Sequence, residues 1–429
     1  MDIEIVTIGD ELLLGFTIDT NAAHLARELA AIGVRIARRS TVGDSAEEIA
    51  DGVRAALART GAVITTGGLG PTSDDQTKPA IASIFGRAMY HDDAVMAGIE
   101  QLFRSRGYPG PIPKTNRVQA MIPEGARVLR NNHGSAPGIW LEDDAGRWVA
   151  MLPGVPREMK GMFADTLLPL IAARAGAGAT VVRSRTLRTT SIAESALAEK
   201  IADIAKEIVP LSLAYLPGAE GVDLRLTCRD VEASRADALL AAAGDRLRER
   251  IGDRVYGEGA ADLAAAIVAL CRDRGLRIAV GESCTGGLLG GRITAVPGSS
   301  AVFVGGVIAY DDRVKVEMLD VPREVLAQHG AVSEPVVRQL ASGARARFGT
   351  EIGIGVSGVA GPGGGSPEKP VGTVWTAVDV QGTVTAYRRG YPGDREEIRA
   401  RSAQMALDMV RSALGTAGRT GIAVATPWA

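Results

Sequence analysis

Two glycine-rich turns in the sequence carry residues that could bind a phosphorylated ligand. The first is TTGGLGPTSDDQT, residues 65–77, and the second is GESCTGG, residues 281–287. Glycines let main-chain N–H groups approach a phosphate, and the N-terminus of a following helix favours an anion. The candidate substrate-binding residues in these turns are Gly67, Gly68, Gly70, Ser283, Thr285, Gly286 and Gly287.

Acidic residues follow the first turn. Asp74 and Asp75 cannot hold a phosphate themselves, but carboxylate oxygens bind hard divalent cations, which can bridge to one. A second interpretation is that both side chains cap the helix that follows. The residues alone leave the two interpretations open.

The second turn resembles a phosphate-binding loop only in its spacing. Gly281 and Gly286 are spaced as in G-x-x-x-x-G-K-[ST], but Gly287 and Leu288 replace the lysine and the hydroxyl residue, so we do not expect nucleoside triphosphate hydrolysis. A monophosphate could still be held by N–H groups and by the hydroxyls of Ser283 and Thr285.

Cys284 lies inside this turn. A helix N-terminus would activate its thiol, but a catalytic thiol also needs a base, and only His329 of the four histidines lies near a C-terminal motif. Free cysteine is among the most commonly buried residues. We therefore expect Cys284 to be packed rather than reactive.

A hydroxyl, a phenol and an amine follow in PGSSAVFVGGVIAYDDRVK, residues 297–315. Ser300 precedes an apolar strand that ends at Tyr310, and Lys315 should lie in the first turn of a helix. If the strand folds beside the serine turn, a buried lysine can act as general base for the hydroxyl. The competing interpretation is a solvated lysine and a tyrosine at a strand end.

The elements that must position these residues alternate between strand and helix. Residues 3–9 and 62–66 read as buried strands, and Asp19 or Thr20 caps a helix between them that Gly33 ends. The same alternation resumes from about Gly259. It predicts parallel sheets covered by helices on both faces, with ligand sites beyond the carboxyl ends of the strands.

A small module should separate the two alternating regions. Residues 172–178 are rich in Ala and Gly and predict a linker, after which one strand, one helix, two strands and a long helix predict an α+β module. At 429 residues the chain is too long for one ordinary core.

Composition restricts the class of protein. With 48 Lys and Arg against 50 Asp and Glu, no overall field attracts nucleic acid or anionic lipid. The start of the chain lacks a basic leader, and no apolar stretch approaches the ~18 residues of a membrane span. The three cysteines show neither CxxC nor zinc-ligand spacing. We expect a cytoplasmic protein without membrane contact, disulfides or structural zinc.

The first half resembles the N-terminal part of the competence/damage-inducible CinA family. The motifs are GDELLLG with DTN, TGGLGPTSDD, NNHGSAPG and LPGVPREM. The resemblance implies the fold of molybdopterin-binding proteins of the MogA and MoeA type. It also implies that this domain cleaves the pyrophosphate of ADP-ribose with the help of a divalent metal of unknown identity. The metal residues it implies are Asp10, Glu11, Asp74 and Asp75.

The second half resembles the C-terminal CinA domain. Five motifs match in order: GESCTGG, PGSSAVFVGGVIAYDDRVK, GAVSEPV, SGVAGPGGGSPEKPVGTVW and GDREEIRARSA. Stand-alone relatives deamidate nicotinamide mononucleotide (NMN) without a cofactor. The resemblance implies Ser300 as nucleophile, Tyr310 and Lys315 as its acid/base partners, and Ser283, Ser357, Gly358 and Arg395 as pocket residues; the family often has threonine where Ser357 stands.

The resemblance also implies a domain order. We expect an α/β protein of two three-layer α/β domains, 1–171 (MogA-like) and 259–417 (CinA-type), joined by a KH-like α+β module, 178–257. We expect a homodimer acting on NMN and ADP-ribose. We also expect no GXXG clamp in the KH-like module and therefore no RNA binding. The alternatives are a non-enzymatic adaptor in competence or DNA repair, and a pterin-binding N-terminal module.

Overall fold

The computed structural model describes residues 1–108, 110–175 and 181–416. They form two compact units, the first from residues 1–183 and 228–238 and the second from residues 184–227 and those from 239 on. The predicted linker is wrong over 172–175, which continue a helix, because alanine and arginine are good helix formers. Its other residues, and the boundaries predicted at 178 and 417, lie outside the described residues.

The secondary structure consists of strands and helices that are numbered along the chain. The strands are β1 (Asp2–Ile8), β2 (Arg35–Val42), β3 (Ala62–Thr66), β4 (Met89–His91), β5 (Met121–Pro123), β6 (Arg127–Leu129), β7 (Gly138–Glu142), β8 (Trp148–Leu152), β9 (Val181–Thr189), β10 (Ser212–Gly218), β11 (Gly221–Val231), β12 (Val255–Glu258), β13 (Ile278–Glu282), β14 (Phe303–Ile308), β15 (Ile352–Gly358), β16 (Thr373–Val380) and β17 (Thr383–Gly390). The helices are α1 (Asp10–Leu13), α2 (Thr20–Ala31), α3 (Ala46–Thr60), α4 (Thr77–Ile84), α5 (Asp93–Ser105), α6 (Pro156–Met162), α7 (Leu168–Ala175), α8 (Glu194–Lys200), α9 (Ala202–Glu207), α10 (Ala233–Ile251), α11 (Leu263–Asp273), α12 (Leu288–Thr294), α13 (Asp312–Leu319), α14 (Arg323–His329), α15 (Glu334–Phe348) and α16 (Arg395–Thr416).

The N-terminal domain is a six-stranded sheet in the order β2-β1-β3-β8-β7-β6. Helices α2, α6 and α7 cover one face and α3 and α4 the other, each over its own apolar core. The predicted caps form: the Asp19 carboxylate accepts from the Ala22 N–H, and Ser45 Oγ accepts from the Glu48 N–H. This domain has the expected three layers.

The KH-like module contains a four-stranded sheet in the order β10-β11-β9-β12. The single helix predicted after β9 is interrupted at the buried Ile201, where φ is −116°, and becomes α8 and α9. Strand β12 was not predicted, because four residues are too few to show an alternating pattern.

The KH-like module contains one GXXG string, although no GXXG clamp was expected there. Gly218–Gly221 has that pattern, but it forms the turn between the antiparallel strands β10 and β11, and Gly218 pairs with Gly221. A clamp between two helices is therefore not what this string builds.

The C-terminal domain is a five-stranded sheet in the order β14-β13-β15-β16-β17. Helices α11, α12 and α16 share a core on one face, and α13 and α15 pack on the other. The predicted parallel sheets are confirmed in part: β16 and β17 here, and β6 and β7 in the N-terminal sheet, run antiparallel to their neighbours. A turn as short as Gln381-Gly382 can only connect antiparallel strands.

No helix within the described residues is long and apolar enough to cross a membrane.

Candidate functional site

The carboxyl ends of three parallel strands meet at one edge of the C-terminal sheet. Strands β14, β13 and β15 lie side by side and end at Ile308, Glu282 and Gly358. The GESCTGG turn, Tyr310 and Ser357 therefore lie at this edge, as expected for a ligand site in an α/β sheet.

Tyr310 connects two predicted site residues. The Lys315 amine, on a side chain that is 1% exposed, donates to the Tyr310 carbonyl oxygen at 3.1 Å and to the Asp312 carboxylate at 2.9 Å. Arg395 Nη2 donates to the Tyr310 hydroxyl at 2.9 Å, and Arg395 Nη1 donates to the Gly361 carbonyl. The interpretation of Lys315 as a solvated lysine is thus wrong, because the fold of α13 against the sheet buries it.

Ser300 lies in a 3-10 turn, Ser299–Ala301, directly before β14. The side chain is exposed, and its hydroxyl makes no hydrogen bond with any described residue. The structure therefore joins Tyr310, Lys315 and Arg395 but leaves Ser300 unbonded to them.

Glu282 organises the GESCTGG turn from within. Its carboxylate is 1% exposed and accepts from three main-chain N–H groups at the start of α12, those of Gly287, Leu289 and Gly290, at 2.8–3.1 Å. The Gly286 N–H donates to the Ser283 carbonyl at 3.1 Å. The N–H groups of Gly286 and Gly287 are thus already used, so the turn does not present them to a phosphate as the glycine pattern predicted.

Arg399 holds the other side of this turn. Its Nε and Nη2 both donate to the Thr285 carbonyl, at 3.2 and 2.7 Å. The Thr285 hydroxyl is buried and has no hydrogen-bond partner among the described residues. Gly287 has φ +93°, a conformation that side chains rarely adopt, and a Cβ there would lie 3.1 Å from Ile308 Cδ1.

The other predicted pocket residues lie at the same edge. Ser283 follows β13, and its N–H donates to the Val356 carbonyl. Ser357 is fully buried, and its hydroxyl donates to the Ala331 carbonyl at 2.7 Å, while Gly358 ends β15.

Cys284 is 5% exposed, and burial raises the pKa of its thiol to about 12. The thiolate is the nucleophilic form, so this cysteine is not an activated nucleophile.

The N-terminal domain has a cavity of about 520 Å³ beside the first glycine turn. Its lining includes the predicted residues Glu11, Gly67, Gly68, Gly70, Asp74 and Asp75, together with Asn21, Asp44 and Glu158, which the sequence did not single out. The backbone also requires glycine at position 67: φ is +114°, and a Cβ would lie 2.1 Å from the Ile8 carbonyl oxygen.

The acidic residues of this domain have other partners. Asp75 accepts from the N–H groups of Gly70 and Thr72 and from the Thr72 hydroxyl, so it closes the loop. The capping interpretation is wrong, because no side chain caps α4. The Asp10 N–H donates to the Asp44 carboxylate, the Asp44 N–H donates to the Asp10 carboxylate, and Asp10 is not in the cavity lining.

A metal held by protein groups alone does not fit this arrangement. Over residues 1–108, 110–175 and 181–416, no three His, Cys, Asp or Glu side chains are grouped so as to hold a metal ion. Glu11 and Asp74 both line the cavity, and Mg²⁺ is commonly bound by one or two carboxylates together with substrate phosphates. The residues present therefore fit a cation that enters with a phosphorylated ligand.

Comparison with known proteins matches three family models in order along the chain. They are a probable molybdopterin binding domain (4–173), the damage-inducible protein CinA KH domain (184–257) and the CinA C-terminal domain (260–414). A CinA-like protein from Gemmatimonas aurantiaca is 63% identical over 96% of both chains. The chain belongs to the CinA family. A CinA-like protein from Desulfovibrio desulfuricans is 40% identical over 100% of this chain and 99% of the other.

Solved structures also match this CinA-family chain. The competence/damage inducible protein CihA from Agrobacterium tumefaciens is 41% identical, and the match covers 36% of this chain and 93% of that one with a TM-score of 0.35.

Two site residues of this CinA protein were missed from the sequence, Glu282 and Arg399. Both stand inside motifs that were noted, GESCTGG and GDREEIRARSA. The available signal was spacing, since Arg395 and Arg399 are four residues apart and share one face of a helix.

Proposed function

We propose that this CinA-family protein hydrolyses the carboxamide of nicotinamide mononucleotide, giving nicotinate mononucleotide and ammonia. The observation that carries the proposal is the connection of Lys315 and Arg395 through Tyr310 at the carboxyl edge of the sheet. The buried Lys315 amine, the Tyr310 phenol and the Arg395 guanidinium support the proposal, because they supply acid/base and cationic groups at the carboxyl end of β14.

Amide hydrolysis needs a nucleophile, stabilisation of the developing oxyanion and a proton for the leaving ammonia. Lys315 acts as the neutral amine: its Nζ takes the Ser300 hydroxyl proton as Ser300 Oγ attacks the carboxamide carbon. Collapse of the tetrahedral intermediate breaks the C–N bond, and Lys315 returns the proton to the departing ammonia. A water molecule then cleaves the acyl ester and regenerates Ser300. Ser300 precedes β14 and Lys315 follows it, so a strand of six residues, about 20 Å long, separates them along the chain. The mechanism therefore requires a rearrangement that brings Ser300 and Lys315 together in the substrate complex.

The nucleotide phosphate is assigned to the arginine face of α16. Since the N–H groups of Gly286 and Gly287 are used inside the turn, Arg395 and Arg399 are the charged donors that remain at this edge. A planar guanidinium matches two phosphate oxygens.

The test is ammonia release from NMN by the full-length protein. Ser300→Ala should abolish turnover, whereas the control Ser299→Ala, in the same 3-10 turn, should keep it. Lys315→Met should lower kcat by about 10²–10⁴-fold, the usual contribution of general acid/base catalysis, with thermal unfolding measured to confirm the fold. Turnover retained by Ser300→Ala would reject the assignment of the nucleophile. No turnover by the wild type would reject the deamidase and favour the adaptor.

We propose a second activity for the N-terminal domain, hydrolysis of the ADP-ribose pyrophosphate with a divalent cation. The cavity of about 520 Å³ supports it, because ligand pockets of ~300–1,000 Å³ hold nucleotide-sized molecules. Glu11 and Asp74 would hold the cation together with the pyrophosphate, and the cation would neutralise charge on the phosphates. A pterin is the second candidate ligand, favoured by the match of residues 4–173 to a probable molybdopterin binding domain.

The test is to measure the two phosphorylated products of pyrophosphate cleavage, with ADP-ribose as substrate and Mg²⁺ or Mn²⁺ as the cation. Asp74→Asn and Glu11→Gln should each lose most of the rate, and the control Asp144→Asn, on an exposed turn of the same domain, should lose none. Equal rates in all three variants would show that Glu11 and Asp74 do not hold the cation. Asp75 is a poor test residue, because it closes the loop.

A further inference from the structure

A cavity of about 640 Å³ lies within the second unit, between the KH-like module and α16. Residues 190–194 and the β10–β11 turn line one side, and residues 389–392 and α16 line the other. None of the residues assigned to the proposed deamidase lines it. Its volume lies in the range of pockets that hold small organic ligands, ~300–1,000 Å³.

Helix α16 separates this cavity from the candidate active site. Glu397, Arg401 and Gln404 line the cavity. They are spaced by four and three residues and so share one face of the helix. Arg395 and Arg399 contact the Tyr310 hydroxyl and the Thr285 carbonyl. Residues two apart on a helix point in nearly opposite directions, so α16 presents one face to each site.

Within the cavity, Arg401 is the residue that favours an anion. The lining contains two arginines, Arg389 and Arg401, and three glutamates, but the buried Arg401 Nε has no hydrogen-bond partner within the part of the chain that the structure describes. Two of the three acidic residues are already engaged: Glu220 forms ion pairs with Arg188 and Arg292, and Glu397 accepts from the N–H of Asp394. A buried donor without an acceptor is costly, and a phosphate oxygen would supply one.

The rest of the lining suits a ring with hydroxyl groups. Tyr391 and Met405 offer apolar and aromatic surface from the C-terminal domain. Burial raises the pKa of Tyr391, so its hydroxyl remains a donor. Glu194, the third acidic residue, can accept from ribose hydroxyls. An anionic group, a flat ring and hydroxyls together describe a nucleotide.

Hydrogen bonds join the two walls of the cavity. Gln404 donates to the Thr190 hydroxyl at 3.4 Å and accepts from Arg292 of α12 at 3.0 Å. The Ser191 hydroxyl donates to the fully buried Asp408 carboxylate at 2.6 Å. Helix α16, which carries Arg395 and Arg399, and helix α12, which follows the GESCTGG turn, are thus bonded to the KH-like module beside the cavity.

We propose that this cavity binds a nucleotide as an effector, through Arg401 and the ring surface of Tyr391 and Met405. A nucleotide there contacts the face of α16 opposite Arg395 and Arg399. Its binding changes how these two arginines hold the substrate of the proposed deamidase.

Binding is tested on the full-length protein by titration calorimetry with AMP, adenosine and inorganic phosphate. Arg401→Met and the cavity-filling Ala219→Trp should weaken one AMP-binding event at least tenfold, about 1.4 kcal/mol. Their controls, Arg388→Met on the adjoining strand and Ala214→Trp on the same hairpin, should leave it unchanged. A binding event that survives in all four variants belongs to another site.

Unchanged AMP binding in both cavity variants would overturn the proposal. Adenosine and inorganic phosphate should each bind at least tenfold more weakly than AMP, and phosphate binding as tight as AMP would overturn the assignment to a nucleotide. The regulatory step alone rests on the proposed deamidase: saturating AMP should change the KM for NMN in the wild type and not in Arg401→Met. AMP bound without that change would overturn the coupling. If the wild type released no ammonia from NMN, the proposed deamidase function would be rejected. The titration with AMP would still test whether the cavity binds a nucleotide.

Discussion

At the residue scale, burial decides the role of Cys284. The pKa of its thiol is raised from 9.0 to about 12, so the protonated form predominates throughout the neutral range. We expect Cys284→Ala to retain ammonia release and native protein at pH 8 to resist a thiol reagent, since Cys228 and Cys271 are buried as well. Reagent uptake should rise to three equivalents in denaturant. Rapid labelling of the native protein that Cys284→Ala removes would contradict this account.

Burial also gives Lys78 a measurable effect on stability. This side chain is 1% exposed, donates to the carbonyls of Val118 and Gln119, and has its pKa lowered from 10.5 to about 8 by desolvation. Between these pH values the unfolded chain binds more protons than the folded one, so the free energy of unfolding rises with pH.

The measurement for Lys78 is urea unfolding of the wild type and of Lys78→Met from pH 7 to 10.5. As the pH rises, the unfolding free energy of the wild type should increase relative to that of Lys78→Met by up to about 3 kcal/mol. The increase ends when Lys78 is deprotonated in the unfolded chain as well. A difference that is constant over this range would show that the lysine titrates normally.

At the element scale, α12 depends on one side chain. Three of its first N–H groups bond to the Glu282 carboxylate, in the place that an anionic ligand takes at many helix N-termini. Glu282→Gln keeps the shape but loses the charge and places an amide N–H₂ group where an acceptor is needed. We expect a loss of about 1–3 kcal/mol in urea unfolding. The exposed control Glu317→Gln should be neutral, and equal midpoints for the two variants would refute the role of Glu282.

The sequence predicted elements better than it predicted bonds. Alternating strand and helix signals anticipated the layers of both α/β domains, and the strand before Tyr310 placed Tyr310 and Lys315 at a common edge. The hydrogen bonds of Glu282 and Arg399 could not be predicted, because their partners are main-chain groups whose positions depend on the folded turn. The glycine pattern alone does not distinguish a phosphate cradle from a turn that a carboxylate already fills.

The same limit explains the other corrections. Strand direction at β16 and β17 follows from the turn that joins them, not from apolar periodicity, which is the same in both directions. Asp75 has the residue type and position of a metal ligand or a cap, yet its oxygens accept from Gly70 and Thr72. A short polar side chain in a loop has several partners within reach, and only the folded backbone selects one.

At the scale of the whole molecule, the KH-like module and the C-terminal domain should unfold together. The bond from Gln404 to Thr190 is buried and the bond from Ser191 to Asp408 is partly buried, so breaking them leaves buried polar groups with fewer partners. An unfolding transition that separated the KH-like module from the C-terminal domain would break both hydrogen bonds at once.

Calorimetry of the full chain tests this coupling with one core substitution on each side. Ile204→Ala in α9 and Ile267→Ala in α11 each remove a buried side chain and should cost about 2–5 kcal/mol. Both should lower the same transition, by several degrees, since about 1 kcal/mol moves Tm by ~2–4 °C in domains of this size. If Ile204→Ala lowered a transition that Ile267→Ala left in place, the KH-like module would unfold alone. A ligand in the cavity beside α16 would then have to stabilise the contact between the KH-like module and the C-terminal domain.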